Sequence, residues 1–249
     1  MEELKSRLLA SLVGTYVQRH ADHDEEKRAQ RLIGGALHSW MENMWDRDGV
    51  MSREDGSDLR QDELRLPKLS VERRSEATRE DPLTHVSPAA LADHAILTFH
   101  NLMRGLDDMM VSDDRETIRL HLSAEFVMIR ALIEAASAAV WLLGPSNSDE
   151  RITRSMRLRF TELDFAKRLT KDYNLLEESI DEEATRAQMD FVNGQIADLR
   201  LTARDAGISW SSVSKLVGPA KIVQGAADFV PELGPAMAHW YWSTASSIA

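Results

Sequence analysis

Residues 123–143 read SAEFVMIRALIEAASAAVWLL, the most apolar stretch of the chain. The run is long enough to cross a bilayer, yet Glu125, Arg130 and Glu134 interrupt it, and such charges are costly in hydrocarbon. A helix that is apolar nearly all round and still carries charges reads instead as the buried centre of a soluble helical protein. Gly144 and Pro145 stop it. Upstream, Ser112 with Asp113 and Asp114 offers a start, so one helix is expected over about 112–143.

The same signals recur on both sides. Ser87 followed by Pro88 opens a helix expected to reach about Met110, because serine caps free amides and proline suits the first helical position. Asn147 with Glu150, and Ser179 with Glu182, read as capping boxes for helices over about 148–176 and 180–206. Beyond these, Gly207, Gly218, Pro219, Gly225, Pro231, Gly234 and Pro235 allow short helices only. Near the N-terminus, Leu4, Leu8, Leu12 and Tyr16 share one helical face, and Leu32, Ala36, Trp40 and Trp45 lie along a second. Residues 1–45 are thus expected as a helical pair, 46–87 as a charged linker or long loop, and 88–249 as the main helical bundle. No strand-like alternation and no internal repeat is present. The expected class is all-α: a multi-helix bundle with a central buried helix and an N-terminal helical pair.

A net charge of -11 favours solubility and repels phosphate backbones and anionic membranes at long range. The absence of cysteine removes disulfides, thiolate metal sites and a cysteine nucleophile, and fits a reducing compartment. Residues 1–10 begin Met-Glu-Glu without a basic leader, so a cytoplasmic protein with no membrane association is expected.

Within the apolar helix, Arg130 and Glu134 are four residues apart and share a face, as do His121 and Glu125. Charges in a buried helix need partners, which makes these four residues either a structural polar network or the lining of a ligand cleft. Arg130-Ala-Leu-Ile-Glu134, then Val140-Trp141-Leu142-Leu143, a proline-containing turn and the arginine-rich run 151–159 resemble an all-helical family of high-GC Gram-positive bacteria. The likeness covers about residues 120–171 and part of the C-terminal region; it implies a helical bundle and no particular activity.

Residues 203–216 resemble the helix-turn-helix of bacterial repressors of the lac type. Ala203 would permit a close helix crossing, Gly207 the turn, and Ile208, Val213 and Leu216 the filling between helices. Ser209, Trp210, Ser211, Ser212, Ser214 and Lys215 would then open a recognition helix, giving sequence-specific DNA binding through 199–217 as an alternative function. Against it stand polar Thr202 in an apolar position, a single lysine, and Gly218 with Pro219 immediately after. The ordinary reading is a helix C-cap followed by a surface turn.

Catalytic signatures are weak. Arg115 with His121 has the spacing of helical (HEPN-like) ribonucleases, which makes such a ribonuclease a further alternative function, but Arg31 with His38 and Arg79 with His85 share the spacing, so it has little specificity. Glu-x-x-His pairs, a Walker loop and a Gly-x-Ser-x-Gly elbow are missing. His20 and His23 suit a solvated helix end, and Asp46-Arg-Asp-Gly49 departs from a calcium loop, so no metal and no cofactor are expected. His239-Trp240-Tyr241-Trp242 reads as a core or subunit contact. The function expected is a non-catalytic helical binding or regulatory protein with a protein partner or a homo-oligomeric state.

Overall fold

The computed structural model describes residues 56–66, 86–110, 123–173 and 182–248. Every regular element among them is an α-helix: α1 (Asp58–Arg65), α2 (Pro88–Met110), α3 (Ala124–Leu143), α4 (Ser148–Tyr173), α5 (Glu182–Asp205), α6 (Trp210–Val213), α7 (Pro219–Ala227) and α8 (Pro235–Ile248). The all-α bundle read from the sequence is therefore the fold. The expected N-terminal pair, residues 1–45, lies outside the described residues, as does the expected helix start at 112–114.

Several boundaries follow the local chemistry. Ser87 Oγ accepts from the Ala90 amide at 3.3 Å, and α2 begins at Pro88 as expected. The Gly144 amide closes α3 on the Val140 carbonyl at 2.8 Å. Asn147 Oδ1 accepts from the Asp149 amide at 2.7 Å, so the cap of α4 is real. Its second half differs from a capping box, because Glu150 reaches forward to Arg154 Nε at 2.7 Å. At the end of α5 the Ile208 amide bonds the Ala203 carbonyl at 2.8 Å and the Gly207 amide bonds that of Arg204 at 3.0 Å. With Gly207 at φ +74°, this is a Schellman cap, a geometry that a side-chain-bearing residue resists.

The chain divides into two compact units, residues 1–49 with 102–125, and residues 50–101 with 126–249. In the first, the described residues are the end of α2, where Leu106 and Met110 are buried, and the start of α3, where Glu125 is buried. Among the described residues the second holds three apolar clusters. Ile152, Met156 and Leu163 of α4 pack with Val192, Leu199 and Ala203 of α5 and with Val213 of α6. Trp141 and Leu142 of α3 pack with Ala92 of α2 and with Val217, Ile222 and Ala226 around α7. Val223 and Ala227 meet Ala238 of α8, flanked by Ile133 and Trp242. The centre of this unit is thus shared between the later half of α3 and the first half of α4.

Within the stretch 46–87, expected as a linker or loop, residues 58–65 form a helix instead. Ser57 caps it by accepting from the Arg60 amide at 3.2 Å. Asp62 is wholly buried against Arg151, which donates from Nε at 2.5 Å and from Nη2 at 3.0 Å. Arg151 Nη1 donates to the carbonyls of Pro145 at 2.8 Å and Ser146 at 3.0 Å, so all three guanidinium nitrogens are bonded. The Asp62 hydrogen bond raises the Arg151 pKa above its ordinary value, against the lowering effect of burial. The charged segment therefore docks through a fully satisfied buried ion pair, with Arg65 bonded to Ser148 and Asp149 beside it and Leu66 buried in the first apolar cluster.

Candidate functional site at the seam of helices α3 and α8

One residue of α3 and one of α8 share a single acceptor atom, supplied by a second residue of α3. Arg130 Nε donates to Glu134 Oε1 at 3.0 Å, and the Trp242 indole Nε1 donates to the same oxygen at 2.8 Å. The Arg130 guanidinium lies 5.5 Å from the centroid of the Trp242 ring, within cation–π range, and the His239 ring stands 5.9 Å from Trp242. Arg130 and Glu134 come together because they are one helical turn apart. Trp242 joins them because an indole N–H entering an apolar contact needs an acceptor, and Glu134 is the one in reach.

With both lone pairs of Oε1 occupied by donors, the trio ties α8 to α3. Ala238 and Ala245, each 3% exposed, lie on the same side of α8 as Trp242 and set that face inward. The opposite face is consequently pinned outward. It carries Met237 at 49%, Trp240 at 60% and Tyr241 at 49% exposure, with the Trp240 and Tyr241 rings edge to face at 5.1 Å. Residues 233–249 contain no Asp, Glu, Lys or Arg, so no charge breaks this surface along the helix.

Of the four residues expected to form a polar network, Arg130 and Glu134 meet. Glu125 is buried and engaged, in the other compact unit, and His121 lies outside the described residues. Trp242 lies outside that expected network, within the cluster 239–242 that the sequence marks as a core or subunit contact. The signal that could pair the two is chemical only: an indole N–H needs an acceptor, and Glu134 is one of two acids on the apolar α3.

The helix-turn-helix-like segment takes a different shape from a DNA reader. Residues 182–205 form one continuous helix, and the helix after the turn, α6, is four residues long. Trp210 packs edge-on against Phe160 at 5.4 Å, with Arg200 5.8 Å from its ring, and Val213 is fully buried. Ser212 gives its carbonyl to Arg157 Nε at 3.1 Å, while the hydroxyls of Ser209 and Ser211 bond each other at 2.8 Å. Ser214 is half-buried and Lys215 exposed. One helical turn with its aromatic residue turned inward presents no row of side chains long enough to follow a groove. Arg115 and His121, the ribonuclease pair, fall outside the described residues.

Among the described residues, no three His, Asp or Glu side chains gather as metal ligands would. One helix there, α3, is long and apolar enough to cross a membrane by length and composition. Comparison with protein-family models, curated proteins and solved structures finds no match to this chain.

Proposed function

We propose that this chain is a non-catalytic helical binding protein that seats a protein partner on the outer face of α8. The observation that carries the reading is the half-exposed trio Met237, Trp240 and Tyr241 on a helix whose rotation is set by the Trp242 to Glu134 hydrogen bond. The helix cannot turn these side chains inward without breaking that bond and lifting Ala238 and Ala245 out of contact. Tryptophan, tyrosine and methionine are the residue types enriched where proteins meet, and Trp and Tyr dominate the energetics of such contacts.

The test is a photo-reactive benzoylphenylalanine placed at position 240 of the full chain in the cells that produce it, with the same group at exposed Arg186 as the control. Irradiation is expected to give a discrete polypeptide adduct at 240 and none at 186. Equal, diffuse labelling at both positions defeats the reading.

A further inference from the structure

We infer that the partner seated on α8 is a second copy of this chain, related to the first by a two-fold axis passing close to Trp240. The inference rests on the binding role just proposed and adds the identity of the occupant.

Electrostatics selects it first. Each copy carries a net charge of -11, so two copies repel wherever their charged faces approach. The outer face of α8 lies within a stretch, residues 233–249, that carries no Asp, Glu, Lys or Arg. Two copies can meet there without placing like charges together. A strongly basic or acidic partner would find no complementary charge on this helix, whereas the chain itself supplies a matching neutral surface.

The order of side-chain sizes fits a self-paired helix. The exposed positions are Ala236, Met237, Trp240, Tyr241 and Ser247, with half-buried Thr244 one turn beyond Trp240. In an antiparallel pair centred on Trp240, Ala236 of one copy faces Thr244 of the other at both ends, and the large rings fall at the middle. Small residues at the flanks let the helix axes approach while the rings interleave, which is what an isologous contact requires. A helix that carries large apolar side chains on its outer as well as its inner side, and no Asp, Glu, Lys or Arg, can be covered by a surface on each. The bundle supplies one through Ala238, Trp242 and Ala245, and the second copy supplies the other.

A lipid surface is the competing occupant, since α3 and α8 are both apolar. Helices that lie in a membrane interface characteristically carry Lys and Arg on their polar face, and α8 has none. The contact is small: fourteen residues make a helix of about 21 Å, and one face of it buries less than the roughly 800 Å² per partner of a standard stable interface. The dimer is therefore a dissociating one.

The experiment is sedimentation equilibrium of the full chain from about 1 µM to about 500 µM, the range in which a contact of this size exchanges partners. An equal mixture of light and 15N-labelled chains bearing benzoylphenylalanine at 240 is irradiated in parallel. The expected result is a weight-average mass rising from one chain toward two, heavy–light adducts, and at least a tenfold weaker association in the Trp240→Glu, Tyr241→Glu variant. Wild type that stays at one chain mass throughout overturns the second copy. So do adducts confined to single chains, a variant that associates as wild type does, and flotation with phosphatidylcholine–phosphatidylglycerol vesicles that the variant abolishes. A non-self adduct at 240 in cells, with wild type monomeric in vitro, removes the second copy and leaves the binding role standing. No discrete adduct in either setting removes both. The wild-type series and its adducts decide the matter even if the variant proves unfolded by circular dichroism.

Discussion

Asp62 and Arg151, 89 positions apart, meet as a buried pair in which the carboxylate takes two hydrogen bonds from the guanidinium, at 2.5 and 3.0 Å. Replacing Asp62 with alanine leaves a buried cation without its counter-charge, so the expected loss of unfolding free energy in urea is about 3–5 kcal/mol. The Asp62→Leu, Arg151→Met double variant should recover most of that loss. A single variant as stable as wild type would show that water or a neighbouring acid takes over the guanidinium.

Glu134 separates an ionic effect from a hydrogen-bond effect. Glu134→Gln keeps an oxygen for the Trp242 indole and removes only a partly exposed ion pair, which at 40% and 31% exposure is worth less than about 1 kcal/mol. Glu134→Leu strands the indole donor and is expected to cost about 1–3 kcal/mol. Thermal melts of the two variants should therefore differ, and near-ultraviolet circular dichroism should change in the leucine variant alone.

Glycine 225 and glycine 144 offer a comparison of overpacking. A Cβ at Gly225 would stand 3.0 Å from Trp141 Cδ1, and that indole is 5% exposed and covered by the Arg154 guanidinium at 5.1 Å. It cannot yield, so Gly225→Ala should destabilise by about 1–3 kcal/mol before the gain of about 1 kcal/mol from better helix propensity. A Cβ at Gly144 would overlap the Phe229 ring, which is 38% exposed and therefore has solvent to move into. Gly144→Ala should then move Phe229 off Arg154 while leaving the Trp141 side of that cation covered, a change visible in the aromatic region of the nuclear magnetic resonance spectrum.

Gly207→Ala places a Cβ at φ +74° with open space around it, so the cost is conformational alone and is expected near 1–2 kcal/mol. Faster hydrogen exchange at the Ile208 amide, which closes the cap on Ala203, checks it. Unchanged exchange there would mean that the cap survives without glycine.

Much of this architecture was legible in the chain because its signals are local. Ser87 with Pro88, Gly144 with Pro145, and the four-residue spacing of Arg130 and Glu134 each act within about one helical turn, and each holds in the structure. Asp62 was not legible, because nothing within a run of alternating acids and bases marks the one carboxylate that will be buried. Its partner is set by tertiary approach alone. Trp242 escaped for the same reason, lying 108 positions from the carboxylate it bonds. The helix-turn-helix likeness failed to anticipate α6 because Trp210, a residue that a recognition helix would expose, gains more by packing on Phe160.

The first half of α4 gathers distant parts of the chain. Arg151 holds Asp62 and two carbonyls of the preceding turn, and Ser155 Oγ donates to the Val86 carbonyl at 2.7 Å. Beyond Leu163 no described residue of the same helix is fully covered, and Phe165 and Leu169 stand 66% and 59% exposed. One unbroken helix therefore has two melting behaviours. Its far end, held by the exposed Lys167 to Asn193 hydrogen bond and by Ala166, can fray with the loss of little else, whereas opening its near end releases α1, the entry to α2 and the turn after α3 in a single cooperative event.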